Sequence, residues 1–150
     1  MRLRWSDSVL VVLSMVLVVG AVGLTSARAD GALAIAQPPD VAKRGFAYGY
    51  VTDSGDVNHA EAGALSKCRD TTITAIRPLC TVVQDFKDQC VAIAMDPQAG
   101  TPGVGWAIEA DKRATEAKAL SNCEETAGPG RAAACVIDHS SCDGNANKSQ

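Results

Sequence analysis

Much of what a catalytic chain usually carries is scarce here. There are only two histidines, His59 and His139. No G-x-S-x-G elbow occurs, so the strand-to-helix turn that exposes a hydrolase serine is missing. The glycine-rich stretch 100–105 lacks the lysine and the strand–helix setting of a phosphate loop. Charge of one sign never runs together: 14 Lys and Arg stand against 17 Asp and Glu, a net charge of −3. Nucleic acid and anionic membrane select clustered cations, so neither is expected as a partner. No cysteine precedes Cys68, which speaks against a lipoprotein signal, and no Arg-Arg pair marks a twin-arginine route.

What is present begins with a processing signal. Arg2 and Arg4 precede an apolar run over residues 9–24, broken only by Ser14, and Ala27-Arg28-Ala29 is a small-x-small cleavage site. Residues 1–29 therefore read as a signal peptide, with the mature chain starting at Asp30. An uncleaved anchor is the competing reading, although a span needs roughly 20 apolar residues. Removing Arg2, Arg4, Arg28 and Asp7 leaves 11 basic and 16 acidic residues, a net charge of −5 spread over a solvated surface. All six cysteines lie in this mature part, and an even count in a small exported chain reads as a disulfide framework. The expected localisation is secreted or periplasmic, with no membrane contact after cleavage.

The mature chain says the same thing twice. Residues 60–68 read AEAGALSKC and residues 115–123 read TEAKALSNC. A cysteine follows each at the same distance, Cys80 after Cys68 and Cys135 after Cys123, and Cys90 and Cys142 close the two copies. Strand character marks residues 32–35, 46–51 and 79–84 in the first copy, and 91–95, 104–108 and 134–139 in the second. A helix opens at Asn58, with Glu61 completing a capping box, and buries Ala60, Ala64, Leu65 and Cys68. A second opens at Asp111 and buries Ala117, Leu120 and Cys123. Laying one copy on the other matches residues 34–36 with 92–94 and 45–48 with 105–108.

Each copy is thus strand–strand–helix–strand. The expected fold is one α+β domain over residues 30–142, with two layers, an antiparallel sheet under two helices. Its pseudo-symmetric repeats span about 32–89 and about 90–142, and residues 143–150 form a disordered tail.

Six cysteines allow fifteen connectivities. The connections 69–79 and 124–134 share length but almost no sequence, as expected of loops held at both ends. This selects Cys68–Cys80 and Cys123–Cys135. Cys90–Cys142 remains, and is expected to tie one half to the other. A thiolate metal site at Cys135, His139 and Cys142 is the alternative that an oxidising compartment disfavours.

These motifs are those of a known family. GFA at 45–47, AEAGALSKC at 60–68, CTVV at 80–83 and CVAIA at 90–94 resemble the bacterial secreted family described as domain of unknown function 4189. GWA at 105–107 and TEAKALSNC at 115–123 repeat the first two. The resemblance implies an exported, disulfide-bonded α+β domain, and it supplies no catalytic residues. Pro38-Pro39 departs from the pattern and puts the pairing of the first strand in question.

The chain offers no catalytic, cofactor-binding or metal-binding residues to name. Asp138-His139-Ser140 fails as a triad, because neighbours on a strand point to opposite faces. His59 reads as a surface residue in a first helical turn, and Glu124-Glu125 as an exposed pair. One surface remains. Phe46, Tyr48 and Tyr50 alternate along a strand, and Trp106 lies at a like place in the second copy. These aromatics either form core against the alanine-rich helices, or stay open as a binding face while the helices cover the small-residue side. The expected function is a non-enzymatic binding module for a protein or a cell-envelope component, inhibitor-like in kind. The alternatives are a secreted hydrolase assembled only in the fold, from residues such as Asp85, Asp88, Glu109 and His139, or a purely structural envelope protein.

Overall fold

The computed structural model describes residues 30–148. The signal-peptide and anchor readings of residues 1–29 lie outside the described residues, as does the end of the tail. Six strands and two long helices follow one order twice. The first half runs β1 (Gly31–Ala36), the single-turn helix α1 (Val41–Arg44), β2 (Ala47–Val51), α2 (Val57–Arg69) and β3 (Thr81–Phe86). The second runs β4 (Cys90–Met95), β5 (Val104–Glu109), α3 (Lys112–Ala127) and β6 (Val136–Cys142). Short 3-10 turns at Thr74–Leu79 and Ala132–Ala134 lead into β3 and β6.

The sheet expected from the sequence comes as two antiparallel sheets of three strands, ordered β2-β1-β3 and β5-β4-β6. Each carries its own helix, so each half is a helix layer on a sheet layer. The central strands explain the pairing of the halves. In β1, Ala32, Ala34 and Ala36 face α2, while Leu33 and Ile35 face the other way. In β4, Ala92 and Ala94 face α3, while Val91 and Ile93 face away from it. Small side chains let the helices lie close, and the large ones meet between the sheets in one cluster with Phe86. Both faces of β1 and β4 are therefore buried. Pro38-Pro39 falls after β1 has ended, and β1 pairs along its length with both neighbours.

Two glycines measure how close the helices lie. A Cβ on Gly49 would sit 2.3 Å from the Ala64 carbonyl oxygen and 2.4 Å from the Cys68 nitrogen. One on Gly105 would sit 2.3 Å from both the Ala119 carbonyl oxygen and the Cys123 nitrogen. Gly49 pairs with Ala34, and Gly105 pairs with Ala94. These contacts set the true correspondence of the halves. Ala34 matches Ala94, not Ala92, and Gly49 matches Gly105, so Trp106 occupies the place of Tyr50. The sequence match was out of step by an even number of residues in each strand. An even shift preserves which face is buried, so the hydrophobic pattern cannot detect it.

Several local expectations change. Asp56, not Asn58, caps α2: it is extended, and its carboxylate accepts the His59 N–H at 3.0 Å. Asp111 caps α3 through the Ala114 N–H at 2.9 Å. The buried face of α3 is Thr115, Ala119, Cys123 and Ala127, with Leu120 at its margin and Ala117 exposed. The start of the tail is ordered through Gly144–Lys148, with Ala146 buried.

The six cysteines form three bridges, Cys68–Cys80, Cys123–Cys135 and Cys90–Cys142. The first two clamp a helix end to the strand that follows. The third does not tie the halves. Cys90 opens β4, directly opposite Cys142 on its neighbour β6, so the bridge closes the end of the second sheet. As bridge members, Cys135 and Cys142 are not metal-ligand thiolates.

Candidate functional site

The two sheets meet face to face, so each side of the stack is a mouth where an edge strand of one sheet overhangs an edge strand of the other. At the first mouth β2 meets β6. Tyr48 donates its hydroxyl hydrogen bond to the Asp138 carboxylate. The His139 ring lies 6.0 Å from the Tyr48 ring and 6.2 Å from that of Tyr50. Phe46 packs on Tyr48 at 5.9 Å, and Lys67 sits 5.6 Å from the Tyr50 ring centre. Burial, then the hydrogen bond to Asp138, raises the Tyr48 hydroxyl above the usual tyrosine range.

Of the two arrangements expected for the aromatic residues, packing against the alanine-rich helices is not the one found. The helices cover the small-residue side, Ala47 and Gly49. The side bearing Phe46, Tyr48, Tyr50 and Trp106 is half-buried against the opposite sheet and flanks its cluster.

A bulge shapes this mouth. Ile93 pairs with His139 and Ala94 with Ile137, so Asp138 is the extra residue. That lets Asp138 reach Tyr48 beside its neighbour His139, which a regular strand would forbid. Ser140 points elsewhere and donates to Glu116 on α3 at 2.6 Å, so no triad forms. Of the other residues considered for a hydrolase, Asp88 accepts the Asn145 N–H at 2.7 Å. Asp85 and Glu109 are exposed on edge strands of different sheets. Among the described residues no group of three or more His, Cys, Asp or Glu side chains is placed to hold a metal ion.

At the second mouth β5 meets β3, and here the stack is open. Val104 stands where the first mouth has Tyr48, and Gln84 where it has His139. A groove of about 420 Å³ follows the outer edge of β5. Gln84 and Trp106 line it from the sheets, and Lys118 and Asn122 from α3. Part of the strand edge in its floor is already occupied. The Val104 N–H donates to the Thr126 hydroxyl at 2.9 Å, and that hydroxyl reaches the Val104 carbonyl at 2.7 Å. Asn122 donates to the Trp106 carbonyl at 2.8 Å.

Two charged clusters lie apart from the mouths, and neither was among the residues singled out in the sequence. Arg131 holds Asp96 by two bonds of 2.6 Å, which, with the Gln98 N–H, draws the buried Asp96 carboxyl down to about 2. Asp143, fully buried, accepts the Asp53 N–H at 2.7 Å and the Asp88 N–H at 3.0 Å. It thereby joins the end of the second half to two turns of the first. Burial outweighs these bonds and raises the Asp143 carboxyl above its ordinary range.

A family model described as "Domain of unknown function (DUF4189)" matches residues 31–142. The chain belongs to this family. Neither a curated protein nor a solved structure matches it. The matched span of the DUF4189 domain runs from the first residue of β1 to the last of β6, so it contains both sheets, both mouths and all three bridges. Asp143 and the turn after it fall just beyond it. Among the described residues of the DUF4189 domain, no helix is long and apolar enough to cross a membrane.

Proposed function

We propose that this protein is an exported, non-enzymatic binding domain whose ligand, a protein or cell-envelope component, enters the groove along β5. Export rests on the signal pattern of residues 1–29 together with three bridges, which persist in oxidising compartments. One observation carries the binding reading. Two mouths of like construction differ in that one is filled by Tyr48 and its partners, whereas the other leaves an open groove of ligand-sized volume. The groove is polar at its rim and built on strands and a helix clamped by Cys123–Cys135. A rigid site loses little conformational entropy when it binds.

The test is affinity capture from native envelope and medium, with oxidised wild-type protein beside a Gln84→Ala/Lys118→Glu variant. A ligand retained by the wild type, lost from the variant and unchanged in mass after incubation is the expected result. Equal retention by both proteins removes the groove from consideration. A captured ligand that is cleaved on incubation moves the protein into the hydrolase class.

A further inference from the structure

Resting on the binding reading above, we infer that the β5 groove takes a neutral oligosaccharide. Four observations converge on that class. First, an extended peptide adding to the β5 edge would need its outward N–H and C=O groups. Thr126 already engages both of those groups on Val104, and Asn122 holds the Trp106 carbonyl. Along this stretch of the edge a ligand is therefore read by side chains. Second, Trp106 is half-buried at the groove, between Gly105 and Ala107, which lie against the helix. An indole supplies a flat apolar face with a polar edge, which suits the C–H face and hydroxyl rim of a sugar ring.

Third, the other groups are planar amides and charged hydrogen-bonders. Gln37 and Gln84 each offer a carbonyl and an NH2, and Asn122 a carbonyl and its second N–H, matching hydroxyls that both donate and accept. Fourth, the charge is mixed. Glu109 and Glu125 line the groove together with Lys118, so the site attracts neither a polyanion nor a polycation. The closed mouth has His139 in place of Gln84 and Lys67 in place of Asn122, so this set of amides belongs to the open side alone.

Trp106 is also the natural reporter. The chain has two tryptophans, and cleavage of residues 1–29 on export removes Trp5, which leaves Trp106 as the sole indole. The exported, oxidised protein is titrated with tetrasaccharides of β-1,4-linked N-acetylglucosamine, β-1,4-linked glucose and α-1,4-linked glucose. A saturable change in tryptophan emission with at least one of them, at about millimolar concentration or below, is expected. Gln84→Ala, at an exposed site, is expected to weaken that binding about fivefold, as for one lost hydrogen bond. Tyr48→Phe, in the other mouth, is expected to leave it unchanged. No response to any tetrasaccharide at about 10 mM overturns the inference, as does binding that Gln84→Ala does not weaken. The two levels separate in the capture experiment. If the Gln84→Ala/Lys118→Glu variant loses a captured protein while no saccharide binds, the saccharide class falls and the binding domain stands. If the variant loses nothing, both fall.

Discussion

Gly49 and Gly105 set the distance between each helix and its sheet, and no other residue type fits there. The first atom of any side chain would lie within 2.4 Å of helix backbone, which cannot rotate aside. Gly49→Ala or Gly105→Ala is therefore expected to cost about 3 kcal/mol, at the upper end for an overpacked core, as read by denaturant unfolding. The matched Ala62→Ser, exposed on α2, should cost less. A second residue-scale contrast lies eight positions beyond each helix cysteine. The first half has Ile76 there, fully buried, and the second has Arg131, paired with Asp96. Asp96 itself stands where β1 has Ala36.

That ion pair sets the sign of a pH effect. The Asp96 carboxyl lies at about 2 in the fold against an ordinary 3.8. Its contribution is complete above the ordinary value and is lost as pH falls from there through about 2. Arg131→Met leaves Asp96 buried and unpaired, so its melting temperature should fall well below wild type at pH 7. The gap should narrow as Asp96 becomes protonated below its ordinary value. The double change Asp96→Ala/Arg131→Ile copies the first half and should recover most of the loss. Asp143 acts in the opposite sense: its raised carboxyl favours the fold at low pH, and that contribution is lost as pH rises through its folded value. None of this was legible beforehand, because a buried Asp or Arg carries no periodic signature in a loop. The unlike residues at positions 76 and 131 of two equal-length connections were the one available hint.

The elements were legible where periodicity and caps speak, and obscure where only tertiary contact decides. All six strands lie close to their expected places, because apolar runs bounded by turn residues are a local signal. The cap of α2 shifted by two residues because Asp56 and Asn58 are both competent caps, and the turn at positive-φ Asp53 and Gly55 selects the earlier one. The fate of the aromatic side could not be read at all. Alternation says that Phe46, Tyr48 and Tyr50 share a face, but only the docking of a second sheet says what covers it. The edge of β5 yields a prediction at this scale. Thr126 and Asn122 from α3 occupy the Val104–Trp106 part of a strand edge that would otherwise accept another strand. Thr126→Val with Asn122→Leu should uncover it and make the protein associate as concentration rises. Sedimentation that stays monodisperse at every concentration where wild type does would show that the edge is protected otherwise.

For the whole molecule, stability divides between sulfur and the apolar layer. Each short bridge closes a loop of 12 residues, worth about 3 kcal/mol by chain entropy, and Cys90–Cys142 closes 52, worth about 4. A typical domain has only about 5–15 kcal/mol in total. Strong reductant is therefore expected to unfold or loosen the protein, and a thermal melt unchanged by reduction would contradict this. The layer between the sheets holds the halves together: Leu33→Ala or Ile93→Ala should each cost about 3 kcal/mol, while Val83→Ala, on the exposed bulge of β3, should cost far less.

No sulfur crosses that layer. Cys68–Cys80 lies wholly before the connection at residues 87–89, and the other two bridges lie wholly after it. Each half can thus complete its oxidation before the halves dock. An oxidised chain that opens at this short connection keeps both of its units covalently intact. Two such chains can trade halves and rebuild the same inter-sheet layer from different molecules, an exchange that oxidation does nothing to prevent.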